Sequence, residues 1–334
     1  MAYRSRWHDL ADQVLAGDPI GPEAARAILE APDDEILDLL AAGFRLRTRY
    51  YGRYVRFHYL INVKSGLCPE DCHYCSQSRI STASIERYPL VGPETILAGA
   101  ARAVELGATT YCIVASGRGP VDHEIDRLAD VIADIRRHYP LRICACLGQL
   151  RPDQAARLKE AGVERYNHNL NTSEAYTPAI VTTHAYAERV ATVERVKAAG
   201  LSPCSGLIVG MGESLDDRVA VAMALRDLDV DSIPINFLIP IPGTPFADRP
   251  PLPPTECLKV VAMMRFVHPT KEIRLAGGRE VQLRSLQALG LYVANSLFVA
   301  DYLTTPGQPP EQDHQMVRDM GFEVEPPGVM LPYP

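Results

Sequence analysis

At 334 residues, 47% hydrophobic and 22% charged, the chain is long and apolar enough for two ordinary domains or one large α/β barrel. A formal net charge of −7 argues against nucleic acid or an anionic membrane as its main partner. No run of eighteen apolar residues and no apolar signal core occurs, so neither a membrane span nor a secretory signal is expected.

Residues 1–50 read as a helical extension. Pro22 and Glu23 mark a helix start, and Ile36, Leu37, Leu39 and Leu40 are spaced for a buried face. From 51 to 304, short apolar runs alternate with helical segments. Strands are expected at 59–63, 109–115, 141–146, 165–169, 202–209, 232–238, 272–276 and 292–299. Helices are expected near 94–106, 122–138, 152–161, 184–199, 214–228, 255–268 and 280–289. Eight strands with helices between them give the cadence of a (β/α)8 TIM-type barrel, with a doubly wound open sheet as its rival. Gly107, Gly162, Gly200 and Gly290 sit where helices end and suit C′ caps. Arg136-Arg137-His138 reads as a solvated helix end. The proline-rich stretch 240–254 can continue neither strand nor helix, and it follows the sixth strand on the face where barrel enzymes keep their sites. The segment 305–334, rich in prolines and charges, is expected to be partly mobile.

The densest chemistry is Cys68-Pro69-Glu70-Asp71-Cys72-His73-Tyr74-Cys75, directly after the first strand. Three thiols at this spacing hold three corners of a [4Fe–4S] cube and leave its fourth iron open. An open iron is what a chain needs to bind S-adenosylmethionine and break it into a radical. A zinc site is the blander alternative, but zinc asks for four ligands and His73 is badly placed to be the fourth. A closed ferredoxin-type site would need another cysteine nearby. Eight cysteines bunched in a long chain suit metal ligation in a reducing cytoplasm better than a disulfide framework.

Cys112, Cys144, Cys146 and Cys204 fall in the second, third and fifth strands, and Cys144 and Cys146 share a strand face. Each alone would pass as a small core hydrophobe. Together, facing inward, they make a second metal site deep in the barrel. Arg274 in the seventh strand is either a salt bridge at the strand end or a neighbour of that site. Cys257, in an apolar helix, reads as core. The turn 206–213, GLIVGMGE, lacks GxGxxG spacing but stands at a strand end, where backbone meets ligands. Asn167, Asn169 and Asn171 would share a face if the fourth strand continues, and such amides suit a urea or a ribose. Asn-rich strand ends also make turns. Asn236 repeats the theme on the sixth strand.

CPEDCHYC, YNHNLNTS, CSGLIVGMGE, SIPINFL and EIRLAGGRE together resemble the biotin synthases, which are radical S-adenosylmethionine enzymes; the resemblance runs from about residue 40 to 322. It implies a (β/α)8 barrel, usually a homodimer, and sulfur insertion into dethiobiotin. Cys68, Cys72 and Cys75 would hold the [4Fe–4S] cluster, with S-adenosylmethionine on the open iron. An electron from flavodoxin or ferredoxin would cleave it to methionine and a 5′-deoxyadenosyl radical. Cys112, Cys144, Cys204 and Arg274 match ligands of the second, sulfur-donating cluster. Asn169, Asn171 and Arg189 match S-adenosylmethionine contacts, Ile208 an adenine contact, and Lys64, Asn167 and Asn236 the substrate's ring end. Two departures stand out. Asn171 replaces the Asp of the best-studied members, and Cys146 is an extra thiol. The second cluster is therefore [2Fe–2S] or a larger four-iron cluster. The alternative is another radical enzyme of similar barrel, of the methylornithine synthase or hydrogenase-maturase type.

Overall fold

The computed structural model describes residues 5–328; the ends of the expected helical extension and of the C-terminal segment lie outside the described residues. Ten strands are β1 Tyr54–Lys64, β2 Thr110–Ala115, β3 Arg142–Cys146, β4 Arg165–Asn167, β5 Ser202–Cys204, β6 Leu207–Val209, β7 Ser232–Phe237, β8 Glu272–Leu275, β9 Ser296–Phe298 and β10 Glu323–Val324. All pair in parallel, in the order β1-β2-β3-β4-β5-β7-β8-β9, with β6 beside β7. The β9 strand pairs back onto β1, Arg56 opposite Ser296 and His58 opposite Phe298. That closure makes an eight-position barrel and removes the open sheet as an arrangement.

The fifth position is split between β5 and β6 at Ser205 and Gly206, where a Cβ on Gly206 would lie 1.9 Å from the Pro234 carbonyl oxygen, so only glycine allows β7 to come this close. The first strand begins earlier than the apolar run suggests, because Tyr54 and Val55 pair with Glu323 and Val324 of β10. The last barrel strand is shorter than expected, since residues 284–292 form 3-10 turns before it.

The helices are α1 Arg6–Leu15, α2 Pro22–Leu29, α3 Ile36–Tyr51, α4 Pro93–Glu105, α5 Asp122–His138, α6 Pro152–Glu160, α7 Thr177–Ile180, α8 Tyr186–Ala198, α9 Leu215–Asp227, α10 Pro254–Val267, α11 Arg279–Leu283 and α12 Pro310–Asp319. The α2 and α3 helices pack over α10, which explains why α10 is buried almost all round, Cys257 included. The described part of the C-terminal segment carries α12 and β10. Val317 and Phe322 are buried there, and β10 pairs with the start of β1. Among the described residues no helix is long and apolar enough to cross a membrane.

Candidate active site

The loop after β1 brings Cys68, Cys72 and Cys75 to one wall of a cavity of about 410 Å³ inside the barrel mouth. Short turns fold the loop: Cys75 N–H donates to the Cys72 carbonyl at 3.2 Å, and Arg79 N–H to the Glu70 carbonyl at 2.9 Å. Asp71 anchors it by accepting the backbone N–H groups of Thr182 at 2.9 Å and Thr183 at 3.2 Å, together with both threonine hydroxyls. Burial works to raise the Asp71 pKa, but those four hydrogen bonds hold its carboxyl well below the usual range. Burial pushes the thiols of Cys68 and Cys72 up, and that of Cys75 up to about 12 with Cys72 beside it. All eight cysteines are free. The protein alone keeps these three protonated, and iron would replace the protons.

A second thiol set lies deeper. Cys112 is paired opposite Cys144 across β2 and β3, and Cys204 stands opposite Asn167 across β4 and β5. Cys144 lies close enough to Cys112 and Cys204 for both thiols to shift its pKa, so these three are contiguous. Arg274 is 1% exposed, with Nη1 3.9 Å from Cys204 Sγ and a buried Nε that has no hydrogen-bond partner. Cys146 lies toward the mouth and donates to Asn167 Oδ1 at 3.2 Å; the Asn167 amide in turn donates to Cys204 Sγ at 3.2 Å.

Beneath the thiols is a charged layer centred on Glu272. Its Oε1 accepts from Arg274 Nη2 at 2.6 Å and from the Ser232 and Ser296 hydroxyls, and its Oε2 from Arg56 at 2.6 Å and Arg165 at 3.0 Å. Glu325, just beyond β10, pairs with Arg56 and lies 3.6 Å from Arg142. Four guanidiniums thus face two carboxylates. His58 adds no charge, because burial and then Arg274 push its pKa well below the usual value. The excess positive charge sits against protonated thiols, and thiolates around an iron–sulfur cluster would answer it. Among the described residues no three candidate side chains meet at the single point one metal ion needs. A polynuclear cluster instead takes ligands spread around a volume; Cys68, Cys72, Cys75, Cys112 and Cys144 border one cavity and Cys204 adjoins Cys144, so the residues fit such groups.

Asn167, Asn169, Asn171, Arg189, Ile208 and Asn236 all line the same cavity. Lys64 does not: its ammonium is 2.7 Å from Glu124 Oε1, outside the cavity wall. The fourth strand ends at Asn167, yet Asn167 Nδ2 still reaches Asn169 Oδ1 at 2.9 Å. Asn171 has a φ of 70°, a left-handed conformation that Asn tolerates better than most residues, and its amide donates to the Tyr74 hydroxyl at 2.6 Å. In the GLIVGMGE turn the Gly210 and Met211 N–H groups are committed to the Glu213 carboxylate, at 2.9 and 2.8 Å, so Ile208 alone represents that stretch in the cavity.

Sequence reasoning missed several wall residues. Glu70, Arg118 and His184 line the cavity, and so does the C-terminal stretch from Tyr302 to Thr305, where Thr304 meets Ser76 across a 2.7 Å hydroxyl contact. Their only sequence signal was position: Glu70 lies inside the cysteine motif, and the others fall in irregular loops without periodicity.

Comparison with known proteins assigns the architecture. Residues 62–225 match the Radical SAM superfamily model, and residues 234–323 match the Biotin and Thiamin Synthesis associated domain. The chain is 58% identical over 321 residues to a biotin synthase of Geobacillus kaustophilus, covering 96% of each chain. It is 56% identical to a biotin synthase of Bacillus subtilis over the same length, again covering 96% of each. The chain belongs to the biotin synthase family. Biotin synthases are sulfurtransferases, and the radical family implies an iron–sulfur cluster and S-adenosylmethionine. Methylornithine synthase superposes with a TM-score of 0.79 at 16% identity, covering 95% of this chain and 97% of that one. A FeFe-hydrogenase maturase from Carboxydothermus hydrogenoformans superposes with a TM-score of 0.80 at 18% identity, covering 96% and 79%. Those two likenesses show the shared barrel and nothing narrower.

Proposed function

We propose that this member of the biotin synthase family inserts sulfur into dethiobiotin through two iron–sulfur clusters facing one cavity. The observation that carries the reading is the pair of thiol sets at two depths of a single closed barrel, one at the mouth and one above the Glu272 layer. Cys68, Cys72 and Cys75 hold the [4Fe–4S] cluster, and Cys112, Cys144 and Cys204 hold the second cluster with Arg274 against it. Cys146 is close enough to Asn167 to join that second set. When bound, the first cluster and S-adenosylmethionine supply the radical that removes hydrogen from the substrate, and the second cluster supplies the sulfur.

The chain's own residues bind, orient and exclude water. Asn169, Asn171 and Arg189 offer donors and acceptors for S-adenosylmethionine, with Ile208 against the adenine. Asn167 and Asn236 present amides that match a cyclic urea, the polar end of dethiobiotin. Val114, Phe237, Leu238 and Phe298 supply an apolar wall, and the stretch 302–305 narrows the mouth, so a reactive carbon is held against one C–H bond away from solvent. The reductant is flavodoxin or ferredoxin, the working unit a homodimer and the compartment the reducing cytoplasm. Anaerobic incubation with dethiobiotin, S-adenosylmethionine and a reductant tests the function. Biotin is expected; methionine and deoxyadenosine without biotin would refute it. Iron analysis of the reconstituted protein should give about six irons per chain or more, and only about four would remove the second cluster.

A further inference from the structure

The cysteine loop and the residues proposed to hold S-adenosylmethionine are joined by an unbroken line of hydrogen bonds. Glu70, between Cys68 and Cys72, places Oε2 2.5 Å from His184 Nδ1 and shares the Thr183 hydroxyl with Asp71. His184 Nε2 lies 2.9 Å from Arg189 Nε, and Arg189 Nη1 donates to the Asn169 carbonyl at 2.8 Å. His184 is 8% exposed and Arg189 9%, and Glu70, His184 and Arg189 all border the cavity.

The protonation pattern follows from which atoms can donate. Arg189 Nε always carries hydrogen, so His184 Nε2 must accept. An imidazole that accepts at Nε2 keeps its proton on Nδ1, which faces the Glu70 carboxylate. The carboxylate therefore selects one neutral tautomer, and that tautomer fixes the roll of the guanidinium about its own axis. With Nε and one Nη1 donor committed, three of the five guanidinium N–H groups are left, a fork suited to a carboxylate. Arg118, 3.3 Å from Glu70 Oε1, steadies the outer end of the line.

We propose that Glu70 and His184 are positioning residues that set the Arg189 guanidinium for the carboxylate of S-adenosylmethionine. Because Glu70 belongs to the cysteine loop, the same line ties the height of the open iron corner to the height of the Arg189 fork. This rests on the proposed function and adds to it a reason for Glu70 in the motif and for His184 outside it.

The test uses the reconstituted holoenzyme, with S-adenosylmethionine binding measured by equilibrium dialysis and iron content measured alongside. His184→Phe, which can neither donate nor accept, should weaken binding by about tenfold or more with iron content unchanged. His184→Gln, whose amide can donate to Glu70 and accept from Arg189, should restore binding to within about threefold of wild type. KM for S-adenosylmethionine should rise in His184→Phe while KM for dethiobiotin stays put. If His184→Phe does not fold, His184→Lys, a donor only, takes its place with the same expected loss. Wild-type affinity in the non-accepting variant, or no rescue by Gln, would overturn the relay. A wild-type protein that neither binds nor cleaves S-adenosylmethionine would instead overturn the functional reading itself.

Discussion

Glu272→Gln is the sharpest test of the charged layer beneath the thiols. The substitution keeps shape and removes one of two carboxylates that face Arg56, Arg142, Arg165 and Arg274. Gln offers one accepting oxygen, so its amide N–H groups must face either Arg274 or the pair Arg56 and Arg165, donor against donor. Burial works to raise the Glu272 pKa, yet Arg165, Arg274 and Arg56 together hold it well below the usual range, so the group lost is charged. Breaking a buried ion pair by removing one partner costs about 3–5 kcal/mol, a large share of a typical ~5–15 kcal/mol of stability. At about 2 °C per kcal/mol for a chain of this size, the melting temperature should fall by roughly 6–10 °C. Thermal and urea unfolding of the iron-free variant, followed by circular dichroism, measures this without a contribution from lost clusters. A midpoint within about 1 °C of wild type would refute the argument, because it would mean the guanidiniums are compensated by something other than this carboxylate. Ser232→Ala removes a hydroxyl that donates to the same oxygen and accepts from Arg274 Nη2 at 2.7 Å, but it removes no charge and should cost less, about 1.5–3 kcal/mol, which separates loss of charge from loss of hydrogen bonding.

Two further outcomes are expected. Cys144→Ala should leave S-adenosylmethionine cleavage intact, read as deoxyadenosine, but abolish biotin formation; a normal biotin yield would refute a cluster role for this thiol. Asp313, on α12, accepts from Arg279 at 2.6 Å, yet burial outweighs that pull and raises its pKa to about 6. A carboxyl with a folded pKa above its unfolded value contributes stability that is fully present below the unfolded pKa and is lost as pH rises through about 6. Wild type should therefore lose stability relative to Asp313→Asn, by no more than about 3 kcal/mol, between pH 4 and 8. A difference in urea stability that does not change with pH would refute the shift.

The barrel was legible because its strands are apolar runs buried on both faces and its helices carry an amphipathic period, and both signals are local. The failures came where partners distant in sequence decide the outcome. Tyr54 and Val55 at the start of β1 pair only because β10 returns to them from 269 residues downstream, as between Tyr54 and Glu323. The break between β5 and β6 falls where Pro234 comes close to Gly206, and nothing near Gly206 announces that approach. In the site, the cysteines declared themselves by spacing, whereas Glu70 and His184 are 114 positions apart and meet only in the folded chain. Lys64 shows the converse. The family resemblance implied a substrate contact for it, and in the folded chain its ammonium pairs with Glu124 near the start of α5.

The vertical order of chemistry in the barrel explains why the second thiol set needs its charged floor. Thiolates and sulfide concentrate negative charge, and a buried anionic group is stable only beside fixed positive charge. Arg274, 3.9 Å from Cys204 Sγ, and Arg165, paired opposite Cys144, supply that charge next to the thiols, and Arg56 and Arg142 stand behind them. Without Glu272 and Glu325 four guanidiniums would repel one another; with both carboxylates the layer keeps a positive remainder directed upward at the thiols. Glu325 comes from the C-terminal segment, outside the eight barrel positions. The end of the chain therefore completes the electrostatic floor of the proposed second site, and the floor, the thiols and the cavity above them form one continuous polar axis through an otherwise apolar barrel.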